Sequence, residues 1–375
     1  MRLWPWYSED AVARVASRVR RGDNLGAHRS DDDVAEFEDL ALARLGPAGC
    51  HTLSYSSGTG ALFATYRALG LDGRAVLVPT YTFRATVTAL VAAGGKPIFY
   101  DCDPETGLVA WDAIDGEAVR RADAIVVTHM NGLINDLDRL GELARKHVLQ
   151  VVEDCSHVHG AVDHLGRRPG FGADAAVYSV GTTKLVTGGL GGVAFYRHQE
   201  HYERAVLLSQ QKWRIQRLSD ASKASHVGDG FHLRMSPLAA ILASDHLRRL
   251  DEILSSKQHN VDAFCSAVES TALSPVRPST VGGRQGLYKL NLRIPEQSDR
   301  GAVLAALTGR GLAVRVPNRP VHREVPFSGA AGVELPGADI FSRRVVEFPA
   351  FDMHDPSNLP KIIAGVLSAA REAGL

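Results

Sequence analysis

Three short segments carry residue types whose spacing suits chemistry on a bound group. The first is Ser57-Gly58-Thr59-Gly60, directly ahead of an apolar-periodic stretch from Ala61 to Leu69. Small residues let backbone N–H groups approach an anion, a helix N-terminus favours negative charge, and Thr59 adds a hydroxyl. The same cluster also reads as an ordinary helix N-cap. The second is Glu153-Asp154, which ends a strongly apolar run and is followed by Cys155-Ser156-His157-Val158-His159-Gly160. The carboxyl end of a parallel strand is where open α/β sheets bind ligands, and a carboxylate there can keep a pyridinium nitrogen protonated. A capping aspartate beside two packed histidines is the plain alternative. A metal site of Asp154, His157 and His159 is another, although a strand-to-turn segment does not naturally converge those three side chains. The third segment is Ser179-Val180-Gly181-Thr182-Thr183-Lys184, with Leu-Val-Thr-Gly-Gly-Leu-Gly-Gly behind it at residues 185–192. A lysine in a partly desolvated site, or beside other positive charge, gives up its proton more easily and can form an imine. An exposed loop lysine is the competing reading.

The elements around these segments predict where they sit. Apolar strands are expected at Ala75–Pro79, Lys96–Asp101, Asp123–His129, Leu149–Asp154, Ala175–Val180 and Gly191–Tyr196. Helical patterns fall between several of them, at 58–70, 82–94 and 136–147. Continuous apolar strands separated by amphipathic helices indicate a mainly parallel sheet covered on both faces, an α/β architecture. Two helices precede it, at 8–21 and 32–45, joined by the polar loop Gly-Asp-Asn-Leu-Gly-Ala-His-Arg at 22–29. After residue 197 the texture changes. A long helix is expected over 235–270, starting at Ser236-Pro237 with proline in the first turn. A Pro/Gly/Ser-bearing connection follows at 272–285. Then come a strand at Leu287–Pro295, a helix at 298–311, a second strand at Leu312–Pro317 and a terminal helix at 356–373. The expected organisation is a large domain over 1–250 and a smaller α+β domain over 251–375.

The bulk composition narrows the function classes. The chain has 375 residues, with 42 Lys+Arg against 42 Asp+Glu, so a balanced surface gives no electrostatic reason to expect nucleic acid or an anionic membrane. Apolar residues make up 45% and no run is long enough to span a bilayer. The opening Met-Arg-Leu-Trp-Pro-Trp turns polar quickly and lacks a secretory apolar core. Cys50, Cys102, Cys155 and Cys265 are scattered singly, which points to a reduced, cytoplasmic setting.

In this order, the segments resemble the DegT/StrS-type sugar aminotransferases, which are fold type I enzymes dependent on pyridoxal 5'-phosphate. The family's SGTxAL turn is matched by Ser57 to Leu62, and its P-x-x-T-F-x-A-T segment by Pro79 to Thr86. Its ED-x-x-x-x-HGA segment is matched from Glu153 to Ala161, and its lysine motif by Tyr178-Ser179 through Thr183-Lys184. The later N-x-RMS-x-x-AA segment corresponds to His232-Leu233-Arg234-Met235-Ser236-Pro237-Leu238-Ala239-Ala240. The resemblance runs from about residue 22 to about 250, with weaker echoes beyond.

The resemblance implies roles by position. Lys184 is the Schiff-base lysine, which also moves protons, and Asp154 pairs with the ring nitrogen and keeps the ring an electron sink. Phe83 stacks on the ring, and His157, standing where relatives have glutamine, bonds the ring hydroxyl. Gly58, Thr59, Gly60 and Ser179 hold the phosphate, joined by His232 in place of an asparagine that crosses a dimer interface. Glutamate or glutamine is the implied donor, a keto-sugar or keto-cyclitol the acceptor, and a homodimer with shared sites the implied assembly. His28, Arg29 and His322 lie where relatives approach substrate. No metal is implied. Two departures sit near the site: Leu190 replaces an acidic residue of a Gly-Glu-Gly-Gly turn, and His232 replaces the asparagine. They leave open a related reaction, namely elimination, cyclodehydration or aromatisation of the aminohydroxybenzoate-synthase kind. The lysine itself argues against the family's dehydratase branch, where histidine stands in its place.

Overall fold

In the computed structural model the described residues are 4–22, 32–210, 212–215, 218, 230–277, 283–324, 326–327, 334–349 and 357–375. The chain opens with α1 (Glu9–Arg20) and α2 (Asp32–Arg44). Ser8 caps α1 by accepting from the Ala11 amide, and Glu9 and Asp10 complement the positive helix end. Then follow β1 (His51–Tyr55), α3 (Gly58–Ala68), β2 (Ala75–Pro79), α4 (Arg84–Ala92), β3 (Lys96–Tyr100), α5 (Gly116–Arg121), β4 (Ala124–Thr128), α6 (Leu137–His147), β5 (Gln150–Asp154), β6 (Ala175–Ser179) and β7 (Gly192–Tyr196). The seven strands form one sheet in the order β1-β7-β6-β5-β4-β2-β3. β2 to β6 run parallel, and β7 lies antiparallel between β6 and β1.

Both faces of this sheet are covered, which explains the unbroken apolar strands. α3 and α4 bury Leu62, Tyr66, Val87 and Leu90 against one face with Val76, Val126 and Val177. α2 and the helix after Ser236 bury Phe37, Leu45 and Leu247 against Tyr178 and Phe195 on the other.

The second half comprises α7 (Gln199–Ser209), α8 (Lys212–Ile215), α9 (Pro237–Arg248), α10 (Leu250–Val268), β8 (Ser274–Pro275), β9 (Lys289–Arg293), α11 (Arg300–Thr308), α12 (Pro336–Arg344), β10 (Val345–Pro349) and α13 (Leu359–Glu372). β10, β9 and β8 form an antiparallel three-stranded sheet. Its apolar side packs with Phe264, Leu307 and Val366 into a separate core.

Two expectations need correction here. The helix over 235–270 is two helices, α9 and α10, broken at Arg249 (φ −98°, ψ 8°), although Ser236 and Pro237 do start it as read. Residues 312–317 do not form a strand but make a single bridge, Arg315 to Glu347, because the prolines at 317 and 320 lack the N–H a ladder needs. The strand partner is β10, which the sequence pattern left unassigned, as it did β1, α5, α7 and α12.

Candidate active site

The parallel strands end at a cavity of about 380 Å³, a size that suits small ligands, which occupy pockets of about 300–1,000 Å³. Its floor comes from the large sheet. β5 delivers Asp154, which is 3% exposed, and both carboxylate oxygens are fixed. Thr86 Oγ1 donates to Oδ2 at 2.7 Å and the Ser156 amide donates to Oδ1 at 3.1 Å. Thr86 belongs to a buried hydroxyl chain with Thr82 and Thr128. The neighbouring Glu153 points to the other side of the sheet, where it meets His129 Nε2 (2.7 Å) and accepts the Gly170 amide (2.7 Å). Alternation along the strand therefore gives one carboxylate to the cavity and one to the scaffold.

The α3 N-terminus enters the same cavity. Ser57 caps it by accepting the Gly60 amide, and Thr59 and Gly58 line the cavity beside Ser179. Gly58 is required by close approach, since a Cβ there would lie 2.7 Å from the Ser179 Cβ. Ser179, the last residue of β6, accepts the Gly181 amide on its Oγ at 3.3 Å. Gly60 itself does not line the cavity.

Lys184 follows on the turn after β6, its amide bonded to the Gly181 carbonyl at 3.0 Å. Burial pulls its ammonium below the ordinary lysine range, opposed by Tyr288 and Asp154 and assisted by Lys289. His157 is buried, and its Nδ1 accepts the Asn131 amide at 3.1 Å, which leaves the proton on Nε2. Burial drives its pKa well below the usual value, with Lys184 and Lys289 adding to the effect. His159 faces away, bonded through Nε2 to the Ser179 carbonyl (2.9 Å), and burial lowers it to about 3. Asp154, His157 and His159 are thus each engaged separately and do not converge as metal ligands.

The roof comes from the other half of the chain: Tyr288 and Lys289 at the start of β9, Arg315, Asn318, and Glu347 on β10. Lys289 pairs with Glu347 at 2.7 Å. Burial raises the Glu347 carboxyl above its usual range, with Lys289 and Arg315 opposing. None of these roof residues was singled out from sequence, since no recognisable motif surrounds them.

The other expected site residues are distributed as follows. Phe83 lines the cavity and is 55% exposed, as is Leu190 at 70%. His232 is exposed and outside the cavity, but adjoins Leu233, whose carbonyl accepts the Ser56 amide at 2.7 Å. His322 does not line the cavity; it is 3% exposed and bonded through Nδ1 to Thr80 Oγ1 beside Phe99. His28 and Arg29 lie outside the described residues.

Lys184 on the turn after β6, Asp154 at the end of β5 and the N-terminus of α3 thus line one cavity at the strand ends. The chain belongs to the DegT/DnrJ/EryC1/StrS aminotransferase family, whose model matches residues 10–367. It is 24% identical over 415 residues to the L-glutamine:2-deoxy-scyllo-inosose aminotransferase of Streptoalloteichus tenebrarius, covering 100% of this chain and 96% of that one. It is 29% identical over 302 residues to the GDP-perosamine synthase of Escherichia coli O157:H7, covering 80% of each. Among solved structures it superposes on 3-amino-5-hydroxybenzoic acid synthase with a TM-score of 0.86 at 24% identity, covering 100% and 98% of the two chains. It superposes on the PLP-form of Spr1654 from Streptococcus pneumoniae with a TM-score of 0.84 at 18% identity, covering 99% and 100%. These two likenesses establish the shared fold.

Proposed function

We propose that this chain is a pyridoxal 5'-phosphate-dependent enzyme that passes an amino group from glutamine or glutamate to the ketone of a cyclitol or sugar. The observation that carries this reading is the convergence of Lys184, Asp154 and the α3 N-terminus on one cavity. The donor set fits the cofactor. The α3 amides with the Thr59 and Ser179 hydroxyls suit a phosphate, and the close approach of Gly58 to Ser179 leaves no room for a side chain at Gly58. Asp154, held by Thr86 and Ser156, suits a protonated ring nitrogen. Phe83 offers a ring face, and His157 Nε2–H a donor to the ring hydroxyl. When bound, the cofactor supplies an electron-withdrawing ring that stabilises charge on the carbon losing its proton.

The chain's own groups do the rest. Lys184 would anchor the cofactor and, once released, would relay a proton between the substrate carbon and the cofactor. Asp154 would keep the ring nitrogen positive. Lys289 and Arg315 present cationic charge suited to an amino acid's carboxylate, while Asn318 and Glu347 suit hydroxyls of a polyol. The named glutamine dependence of the S. tenebrarius relative supports the donor.

We also propose a homodimer with shared sites. Phe83 and Leu190, which line the cavity, are 55% and 70% exposed, apolar surface at the cavity mouth that a second copy would cover. The division of the chain near residue 250 falls along α10. Leu250 and Leu254 pack with the large sheet, and Phe264 and Val268 with the small one. Among the described residues, no helix is long and apolar enough to cross a membrane. The free cysteines suit a cytoplasmic setting.

The test is to offer glutamine or glutamate with a keto-cyclitol or a nucleotide-linked keto-sugar and follow both products. Release of a keto acid in proportion to aminated product is the expected result. Product formed without any amino donor would overturn aminotransfer in favour of elimination or aromatisation.

A further inference from the structure

The residue in closest company with Lys184 comes from the roof. Lys184 Nζ lies against the face of Tyr288, 4.5 Å from the ring centroid. The Tyr288 hydroxyl shares a hydrogen bond of 3.0 Å with Thr183 Oγ1, on the residue before the lysine. The ring also stacks on His157 at 4.1 Å with an interplanar angle of 25°, and Lys289 Nζ lies 5.7 Å from its centroid.

The backbone is built to hold Tyr288 there. Leu287 adopts φ 47°, a left-handed conformation that a branched residue takes only when its surroundings enforce it. Gly286 comes so near the β5 turn that a Cβ would lie 2.5 Å from Val158 Cα and 2.7 Å from the His157 carbonyl. The Gly286 amide donates to the Gly132 carbonyl at 2.7 Å. Gly132, at φ 100°, would in turn drive a Cβ to 2.7 Å from the Leu287 and Tyr288 amides. Two backbones thus touch directly, and the strained step between them aims the phenol at the lysine.

We infer that Tyr288 is a further catalytic residue, the proton partner of Lys184. The exchange is Lys–NH3⁺ with Tyr–O⁻ giving Lys–NH2 with Tyr–OH: one N–H bond breaks, one O–H bond forms, and nothing else changes. It frees the nitrogen lone pair that must attack a carbonyl carbon, and it returns the proton afterwards. Thr183 steadies the phenol oxygen in both states, since a hydroxyl can donate or accept. The electrostatics agree. Burial alone would raise the Tyr288 phenol, yet Lys184, Lys289 and the hydrogen bonds from Thr183 and Lys184 bring it below the ordinary tyrosine range. Burial pushes Tyr55, Tyr66 and Tyr196 the other way. The titratable groups facing the pair are Lys289 on β9, Asp154 and His157 from the β5 end, and Glu347 through Lys289 on β10.

This inference rests on Lys184 being the reactive lysine, so the test begins on cofactor-free protein. Phenolate absorbance is titrated in wild type, Tyr288→Phe and Lys184→Met. Lys184 reactivity is read from the pH dependence of reductive methylation, followed by peptide mass spectrometry, in wild type and Tyr288→Phe. Expected is one phenol ionising below the normal range, absent from Tyr288→Phe and shifted up by about one pH unit in Lys184→Met. The Lys184 labelling midpoint should fall by a similar amount in Tyr288→Phe, because coupling between two sites is reciprocal. Phenylalanine keeps the stack on His157, so a merely structural tyrosine would leave these midpoints and the turnover unmoved. In loaded enzyme, kcat should drop about 10- to 100-fold with KM changed far less, the scale of a lost acid–base group. Absence of the low phenol, or a phenol indifferent to Lys184→Met, overturns the inference even where keto-acid release is intact. Reciprocal shifts without keto-acid release uphold the proton partnership and overturn the aminotransfer reading instead.

Discussion

The floor and the roof of the cavity are built in different ways. Floor residues sit at the ends of secondary-structure elements: Asp154 ends β5, Ser179 ends β6, and Gly58 and Thr59 begin α3. Their positions follow from hydrogen-bonded ladders and a helix cap, which are rigid and local. Roof residues come from the small sheet and its flanks: Lys289 begins β9 and Glu347 lies on β10, while Tyr288 follows a strained turn and Arg315 is held by a lone bridge. On the proposed reading, the groups that would hold the cofactor sit at the ends of the large sheet and of α3, whereas those that would meet the substrates come from the small sheet and the segments flanking it.

Substitutions can break this contrast. The largest effect is expected at Lys184→Ala, which should lower turnover on the order of 10⁴-fold, as loss of an activated nucleophile that also moves protons. The cofactor should then dialyse away, and retention of a borohydride-reducible band in this variant would refute the assignment. Asp154→Asn should follow, lowering kcat by about 10²- to 10³-fold through lost charge stabilisation while cofactor affinity, measured by equilibrium dialysis, changes far less. Turnover near that of wild type would remove Asp154 from the chemistry.

The third substitution probes the roof. Gly286→Ala places a methyl against the Val158 backbone, where neither side can yield as a side chain does. A stability loss of about 1–3 kcal/mol is expected in urea titrations, together with a lower kcat and unchanged cofactor binding. Equal damage to cofactor affinity would show that floor and roof are not separable.

The smallest effect concerns acid. His159 is held neutral in the fold, at about 3, but takes up a proton near 6.5 once unfolded. The unfolded state therefore binds more protons below that value, and stability falls with falling pH by up to about 1.4 kcal/mol per pH unit from this group. The urea midpoint should decline between pH 6.5 and 4 in wild type and decline less steeply in His159→Gln. Parallel slopes would mean other groups carry the acid sensitivity.

The same contrast decides what could be read from the sequence. Asp154, Ser179 and the Ser57–Gly60 turn stand out because each ends or begins an element whose periodicity is visible in neighbouring residues, and Lys184 because it follows such a strand into a glycine-rich turn. The large parallel sheet was readable for the same reason. β1 was not, because His51, Thr52 and Ser54 interrupt its apolar pattern, although Ser54 is buried and bonded to Glu38. Tyr288 offered no local signal, since its importance comes from Gly132, more than a hundred and fifty residues earlier in the chain. Arg315 lay in a segment read as a strand, and only the pairing with Glu347 shows why it is held without one.

The contact between Gly132 and Gly286 also bears on how such an enzyme can diversify. Both positions are closed to any side chain, so selection would hold them still while tolerating drift in Lys289, Arg315 and Asn318 beyond them. A lineage could therefore trade one acceptor for another by changing those few residues, with the seam keeping every new roof in register over the same lysine.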